Sequence, residues 1–91
     1  MFYTYILRSR KRGKYYVGST SNLDGRLCEH NRGKTSSTKP GIPWEIVYYE
    51  EFSSHKEAVA REMEIKSQKS RDFIERLILK GKTQLVQGIP T

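Results

Sequence analysis

The stretches Phe2-Tyr3-Thr4-Tyr5-Ile6-Leu7 and Tyr15-Tyr16-Val17-Gly18-Ser19-Thr20 decide the fold. Both are rich in aromatic and β-branched residues, which suit a pleated, half-buried surface. Between them lies Arg8-Ser9-Arg10-Lys11-Arg12-Gly13-Lys14, a basic segment closing on Gly13. Two β-rich runs around a glycine-bearing turn predict a hairpin. Period two puts Tyr3, Tyr5 and Leu7 on one face and Phe2, Thr4 and Ile6 on the other. Both faces carry apolar bulk, so the first strand is expected to be covered on both sides.

Working outward, Gly18 ends the second run and allows either close backbone approach or a positive φ. Ser21-x-x-Asp24 follows, a capping-box spacing that opens a helix from about Asn22 to Arg32. Leu23 and Leu27 mark its packed stripe, and Arg26 and His30 share the same spacing along the edge of that stripe. Glu29 points away and reads as solvated. Gly33 fits the C-terminal cap.

Lys34 to Gly41 is small, polar and basic, and reads as a mobile loop. Trp44 to Phe52 is the third strand, with Trp44, Ile46 and Tyr48 on one face and Val47 and Tyr49 on the other. Ser53 or Ser54 caps a helix from about His55 to Lys69, with Glu57 in the reciprocal position. Ala58, Val59, Ile65 and the stem of Lys66 form its inward arc, with Met63 at the edge. Glu62 falls inside this arc, and Arg61 and Glu64 fall outside it. A buried carboxylate needs a partner or a cation. Ser70 opens a last helix with an apolar face of Phe73, Ile74, Leu77 and Ile78, ended by Gly81. The tail from there is expected to fray. The predicted fold is therefore α+β: a small three-stranded antiparallel sheet flanked by helices, in the order β-β-α-β-α-α. Residues 1–80 form one domain and residues 81–91 a flexible tail.

The composition narrows the partners. The chain has 91 residues and a formal net charge of +7. One short domain with that balance points to a polyanion, nucleic acid ahead of an anionic membrane surface. Cys28 is the single cysteine, so no internal disulfide forms and a reducing cytoplasm is expected. No apolar run suits a signal peptide or a membrane span. Arg10, Lys11, Arg12, Lys14, Arg32, Lys34 and Lys39 are the candidate phosphate contacts. The basic turn reads equally as a solvated loop.

Tyr3-Thr4-Tyr5, then Tyr16-Val17-Gly18, then Arg26 and His30, resembles the GIY-YIG nuclease domain. Tyr5 matches the tyrosine that closes the first motif, and Tyr16-Val17-Gly18 matches the second. Arg26 and His30 match the arginine and the histidine or tyrosine of the first helix. Glu62 matches the metal-binding glutamate. Tyr3 stands where the family has the glycine that opens the first motif. The resemblance spans roughly the first 80 residues and is closest to small members consisting of this domain and little else.

That resemblance implies an endonuclease that hydrolyses phosphodiester bonds in DNA, in repair or recombination. Tyr16 or Tyr5 would take a proton from water, and Arg26 would neutralise phosphoryl charge. His30 would orient the nucleophile or a phosphate oxygen. Glu62 would hold one divalent cation, Mg²⁺ or Mn²⁺. A targeting protein partner is a further implication. Singly, each residue has an ordinary reading: core aromatics for Tyr5 and Tyr16, a surface arginine for Arg26, a packed histidine for His30, and a helix pair with Lys66 for Glu62. The competing function is a nucleic-acid-binding module with the chemistry unused, and a weaker one is an RNA- or ribosome-associated basic protein. Cys28 and His30 diverge on their helix and make no nucleophile–base pair. Two histidines and one cysteine cannot build a structural zinc site.

Overall fold

The structure is a computed structural model that describes the backbone of residues 1–88 and the side chains of residues 1–81. The hairpin forms as its residues predict, with β1 (Phe2–Ser9) antiparallel to β2 (Tyr15–Thr20). The helix α1 (Leu23–Asn31) follows, then a single 3-10 turn (Lys39–Gly41), β3 (Trp44–Phe52), α2 (His55–Ser67) and α3 (Arg71–Gly88). Among the described residues the sheet is three-stranded and antiparallel, ordered β2-β1-β3, so the fold is α+β in the order β-β-α-β-α-α.

The central strand is covered on both faces. On one face Tyr5 and Leu7 pack with Trp44 against Leu23 and Leu27 of α1. On the other, Ile6 and Val17 pack with Ile65 of α2 and with Phe73, Ile74 and Leu77 of α3. Ile6, Leu7 and Ile65 are almost wholly buried, and each such side chain contributes about 1.5–3 kcal/mol. The Thr4 hydroxyl donates to the Ala58 carbonyl at 2.6 Å, which ties β1 to α2.

Several local expectations are corrected. Asn22, not Ser21, caps α1: its side chain accepts from the Gly25 amide at 3.1 Å. Tyr48 does not share a face with Trp44 and Ile46. Register slips at Ile6/Leu7, where Ile6 faces Tyr48 but Leu7 faces Ile46, so Val47 is the extra residue of a bulge. Beyond the bulge the pleat is inverted, which turns Tyr48 toward the α2 and α3 face. Met63 is exposed rather than edge-packed. Arg61 does not point away, because its guanidinium curls back onto Glu50 of β3 at 3.0–3.1 Å. The helix α2 stops at Ser67, and Lys69 at φ 48° then turns the chain into α3.

Ser54 is the serine that caps α2, with Glu57 its partner as expected. Gly81 does not end the last helix, which continues to Gly88. Its missing side chain serves packing instead: a Cβ there would lie 2.8 Å from the Tyr48 ring. The expected fraying of the tail concerns side chains from residue 82 onward and residues 89–91, outside the described residues.

The segment expected to be a mobile loop is a bonded turn. Thr38 is buried, its carbonyl accepts from the Trp44 indole at 2.7 Å, and the Gly41 carbonyl accepts from the buried Ser9 hydroxyl at 2.6 Å. Ser9 also accepts from the Arg12 amide at 2.9 Å. One buried serine thus joins the basic hairpin turn to the 3-10 turn. Gly13 supplies the positive φ (68°) that closes the hairpin turn.

Candidate active site

The site forms at the edge strand β2, where α1 on one face and α2 on the other approach the same rim. Register sets the tyrosines. Tyr5 faces Gly18, and Leu7 faces Tyr16, all on the α1 side. Gly18 is a glycine because the Tyr5 ring lies over it. A Cβ there would sit 2.6 Å from the Tyr5 hydroxyl and 2.8 Å from Cζ. Close approach, not a left-handed conformation, is the reason for this residue.

Tyr5 is 2% exposed and its hydroxyl lies 3.1 Å from His30 Nε2. His30 is fully buried, with Nδ1 2.9 Å from the Thr38 hydroxyl. Thr38 donates that hydroxyl's proton to the Thr35 carbonyl at 3.2 Å, so it accepts from His30 Nδ1–H. Nε2 is then unprotonated and accepts from Tyr5 O–H. Burial, and next the Arg26 charge, lower the His30 pKa, consistent with a neutral imidazole. Burial also pushes the Tyr5 phenol up to about 12, with Arg26 opposing that rise. Tyr5 therefore keeps its proton at neutral pH and aims it at His30.

Tyr16 is half-buried, and its ring meets the His30 imidazole edge-on at a 4.9 Å centroid separation. Lys66 Nζ lies 6.0 Å from the Tyr16 ring centre, close enough for its charge to be felt there. Arg26 is one-third exposed and pairs with Glu29 at 2.9 Å, so Glu29 is not simply solvated. Its interaction with the Tyr5 hydroxyl, then Glu29, raises its pKa further.

Glu62 reaches the same rim from α2. Ser19 sits on the α2 side of β2, and its hydroxyl donates to Glu62 Oε1 at 2.7 Å. Lys66 donates to Oε2 at 2.6 Å. The Glu62 side chain is 17% exposed, so the ordinary helix pair and an accessible carboxylate coexist. Tyr5, Tyr16, Arg26 and His30 are thus in one cluster, and Glu62 acts electrostatically on Tyr5 across the sheet edge.

Two polar residues of this cluster escaped the sequence reading. Ser19 could have been found, since it alternates with Gly18 and must face α2. Thr38 carries no such signal, because it comes from a polar loop and becomes buried only through His30 and Trp44. Arg10, Lys11, Arg12, Lys14, Arg32, Lys34 and Lys39 are all exposed. Arg12 and Lys14 line a cleft with Tyr16, whereas the Lys39 stem lies against Gly33. Among the described residues no helix is long and apolar enough to cross a membrane.

Comparison with known proteins identifies the family. Residues 1–76 match the family model of the GIY-YIG catalytic domain. A UPF0213 protein of Staphylococcus haemolyticus is 44% identical over 66 residues, 71% of this chain and 79% of the relative. A second, from Natronomonas pharaonis, is 39% identical over 77 residues, 84% of this chain and 88% of the relative. The solution NMR structure of a UPF0213 protein from Bacillus halodurans superposes with a TM-score of 0.55 at 37% identity, covering 89% of this chain and 87% of that one. With its two tyrosine motifs meeting over Gly18, this chain belongs to the GIY-YIG catalytic-domain family, as a small member similar to the UPF0213 proteins.

Proposed function

We propose that this chain is a metal-dependent endonuclease that hydrolyses phosphodiester bonds in DNA. The observation that carries this reading is the convergence of Tyr5, Tyr16, Arg26, His30 and Glu62 on one edge of the sheet, beside exposed lysines and arginines. Family membership supports it.

Tyr16 is the general base in this reading. It is the more accessible tyrosine, and the Lys66 cation lies 6.0 Å from its ring centre. Acting as its phenolate, Tyr16 takes a proton from water while the water oxygen bonds to phosphorus; the bond to the leaving oxygen breaks, and that oxygen takes a proton from solvent. Arg26 holds charge as it grows on the non-bridging oxygens. Tyr5, His30 and Thr38 position the Tyr16 ring, and Gly18 leaves room for the Tyr5 and Tyr16 rings.

Among the described residues no three His, Cys, Asp or Glu side chains group together. Glu62 nevertheless suits a hard divalent cation, Mg²⁺ or Mn²⁺, which is commonly held by one carboxylate with water and substrate phosphate. Each carboxylate oxygen has one partner, and a carboxylate offers about four acceptor positions. When bound, the cation supplies Lewis-acid stabilisation of the leaving oxygen. A targeting protein would add substrate selection to so small a domain.

The test is a nicking assay on supercoiled, branched and linear DNA, with RNA in parallel, with and without Mg²⁺. Metal-dependent nicking that is lost in both Tyr16→Phe and Arg26→Ala supports the enzyme. Binding without nicking under every metal condition favours the non-catalytic binding module.

A further inference from the structure

A cleft of about 250 Å³ opens directly beside Tyr16, lined by Arg12, Lys14, Tyr16, Ser37, Pro40 and Trp44. We infer that this cleft receives one unstacked nucleobase of the nucleic acid, next to the bond under attack. The inference rests on the nuclease reading for its use, and on the cleft alone for its binding.

The cleft is built rather than incidental. Its two walls are the basic hairpin turn and the 3-10 turn, joined through the buried Ser9 hydroxyl to Gly41 and Arg12. The Trp44 indole is fixed by its bond to the Thr38 carbonyl. Gly41 lets the 3-10 turn close on that indole, because a Cβ there would lie 2.4 Å from Trp44 Cζ2. Tyr16 and Trp44 meet at a 6.4 Å centroid separation, inclined by 64°.

The lining chemistry identifies the ligand class. Half-buried Tyr16 and exposed Pro40 accept a flat π-face above the floor formed by Trp44, which is only 7% exposed, while Arg12 and Lys14 take the phosphates on either side of it. Sites for drug-sized ligands span about 300–1,000 Å³, so this smaller space suits a single ring system. A base in intact duplex must leave its stack to enter, whereas an unpaired base is already free. The cleft therefore favours nucleic acid with an unpaired base at a bulge, flap or branch. Tyr16 belongs to both the cleft and the reactive cluster, so a seated base brings its own phosphate to Arg26 and Glu62.

The experiment uses the full chain, without metal, and three duplexes. One carries a single unpaired 2-aminopurine, a fluorescent base analogue. The second carries an abasic bulge at that position, and the third is fully paired. The unpaired base should bind roughly 5- to 150-fold more tightly than the abasic or paired duplex, with quenched fluorescence. Ser37→Trp places a ring in the cleft from an exposed position and should bring the base-bearing bulge down to the abasic affinity. Pro40→Ala, a milder change, should lower the same preference in part. Equal affinity for all three duplexes, or a preference that both variants retain, overturns the inference. Metal-dependent cutting without base preference leaves the nuclease reading intact and removes the cleft. Base preference without cutting under any metal condition does the reverse, and no DNA binding at all removes both.

Discussion

Glu62→Gln separates the metal-binding and pairing roles of the residue on which the proposed chemistry depends. The side chain keeps its volume, and its amide oxygen still accepts from Ser19, whose hydroxyl is 2.7 Å from Oε1. What is lost for folding is the pair with Lys66, 2.6 Å long but half-exposed on the lysine side. An exposed pair of this spacing is worth about 0.3–0.5 kcal/mol. For a domain this size that is a fall in Tm of roughly 1–4 °C. DNA affinity should hold or rise, because one negative charge leaves a chain of net +7. Cleavage should behave differently. A Lewis-acid contribution of about 4 kcal/mol corresponds to about 10³ in rate. The assays are thermal melting, DNA titration, and single-turnover nicking across a range of Mg²⁺ concentrations. Undiminished nicking by a folded Glu62→Gln protein would falsify the single-metal reading and leave Glu62 as a helix pair with Lys66.

Arg26→Ala should reduce the nicking rate by about 10² or more with little change in DNA affinity, since its charge is needed as the phosphoryl oxygens gain charge. Near-normal rates would make Arg26 a surface partner of Glu29 only. Gly18→Ala pushes a methyl group into the buried Tyr5 ring, at 2.6–2.8 Å, and should cost about 1–3 kcal/mol in denaturant melts. A stability equal to the parent would mean the ring can move away, contrary to its burial. His30 has a lowered pKa in the folded state, so below about pH 6.5 the unfolded chain takes up a proton that folded His30 refuses. Stability should fall there with an added slope of up to about 1.36 kcal/mol per pH unit, be unaffected by His30 above that pH, and lose the added slope in His30→Phe. Identical slopes for the two proteins would show that His30 accepts a proton without penalty.

The elements themselves were legible in the sequence because they follow from local chemistry. Aromatic and branched runs around Gly13 make the hairpin, the Leu23 and Leu27 spacing makes α1, and Ser54 with Glu57 starts α2. The motif residues were legible too, because Tyr5, Tyr16, Arg26 and His30 fall on elements whose order already brings them together. Tertiary structure decided everything that depends on contacts between elements. The bulge at Val47 inverts the pleat and carries Tyr48 to the other face, which a period-two reading cannot foresee. Gly18 permitted two explanations until the ring of Tyr5 was seen to lie over it. Thr38, from a loop that reads as mobile, became the buried partner that sets the His30 tautomer. Glu62 reaches the rim only because Ser19 turns to α2 while Tyr16 and Gly18 turn to α1. Sequence spacing places side chains on a face, but register and packing between faces determine which of them meet.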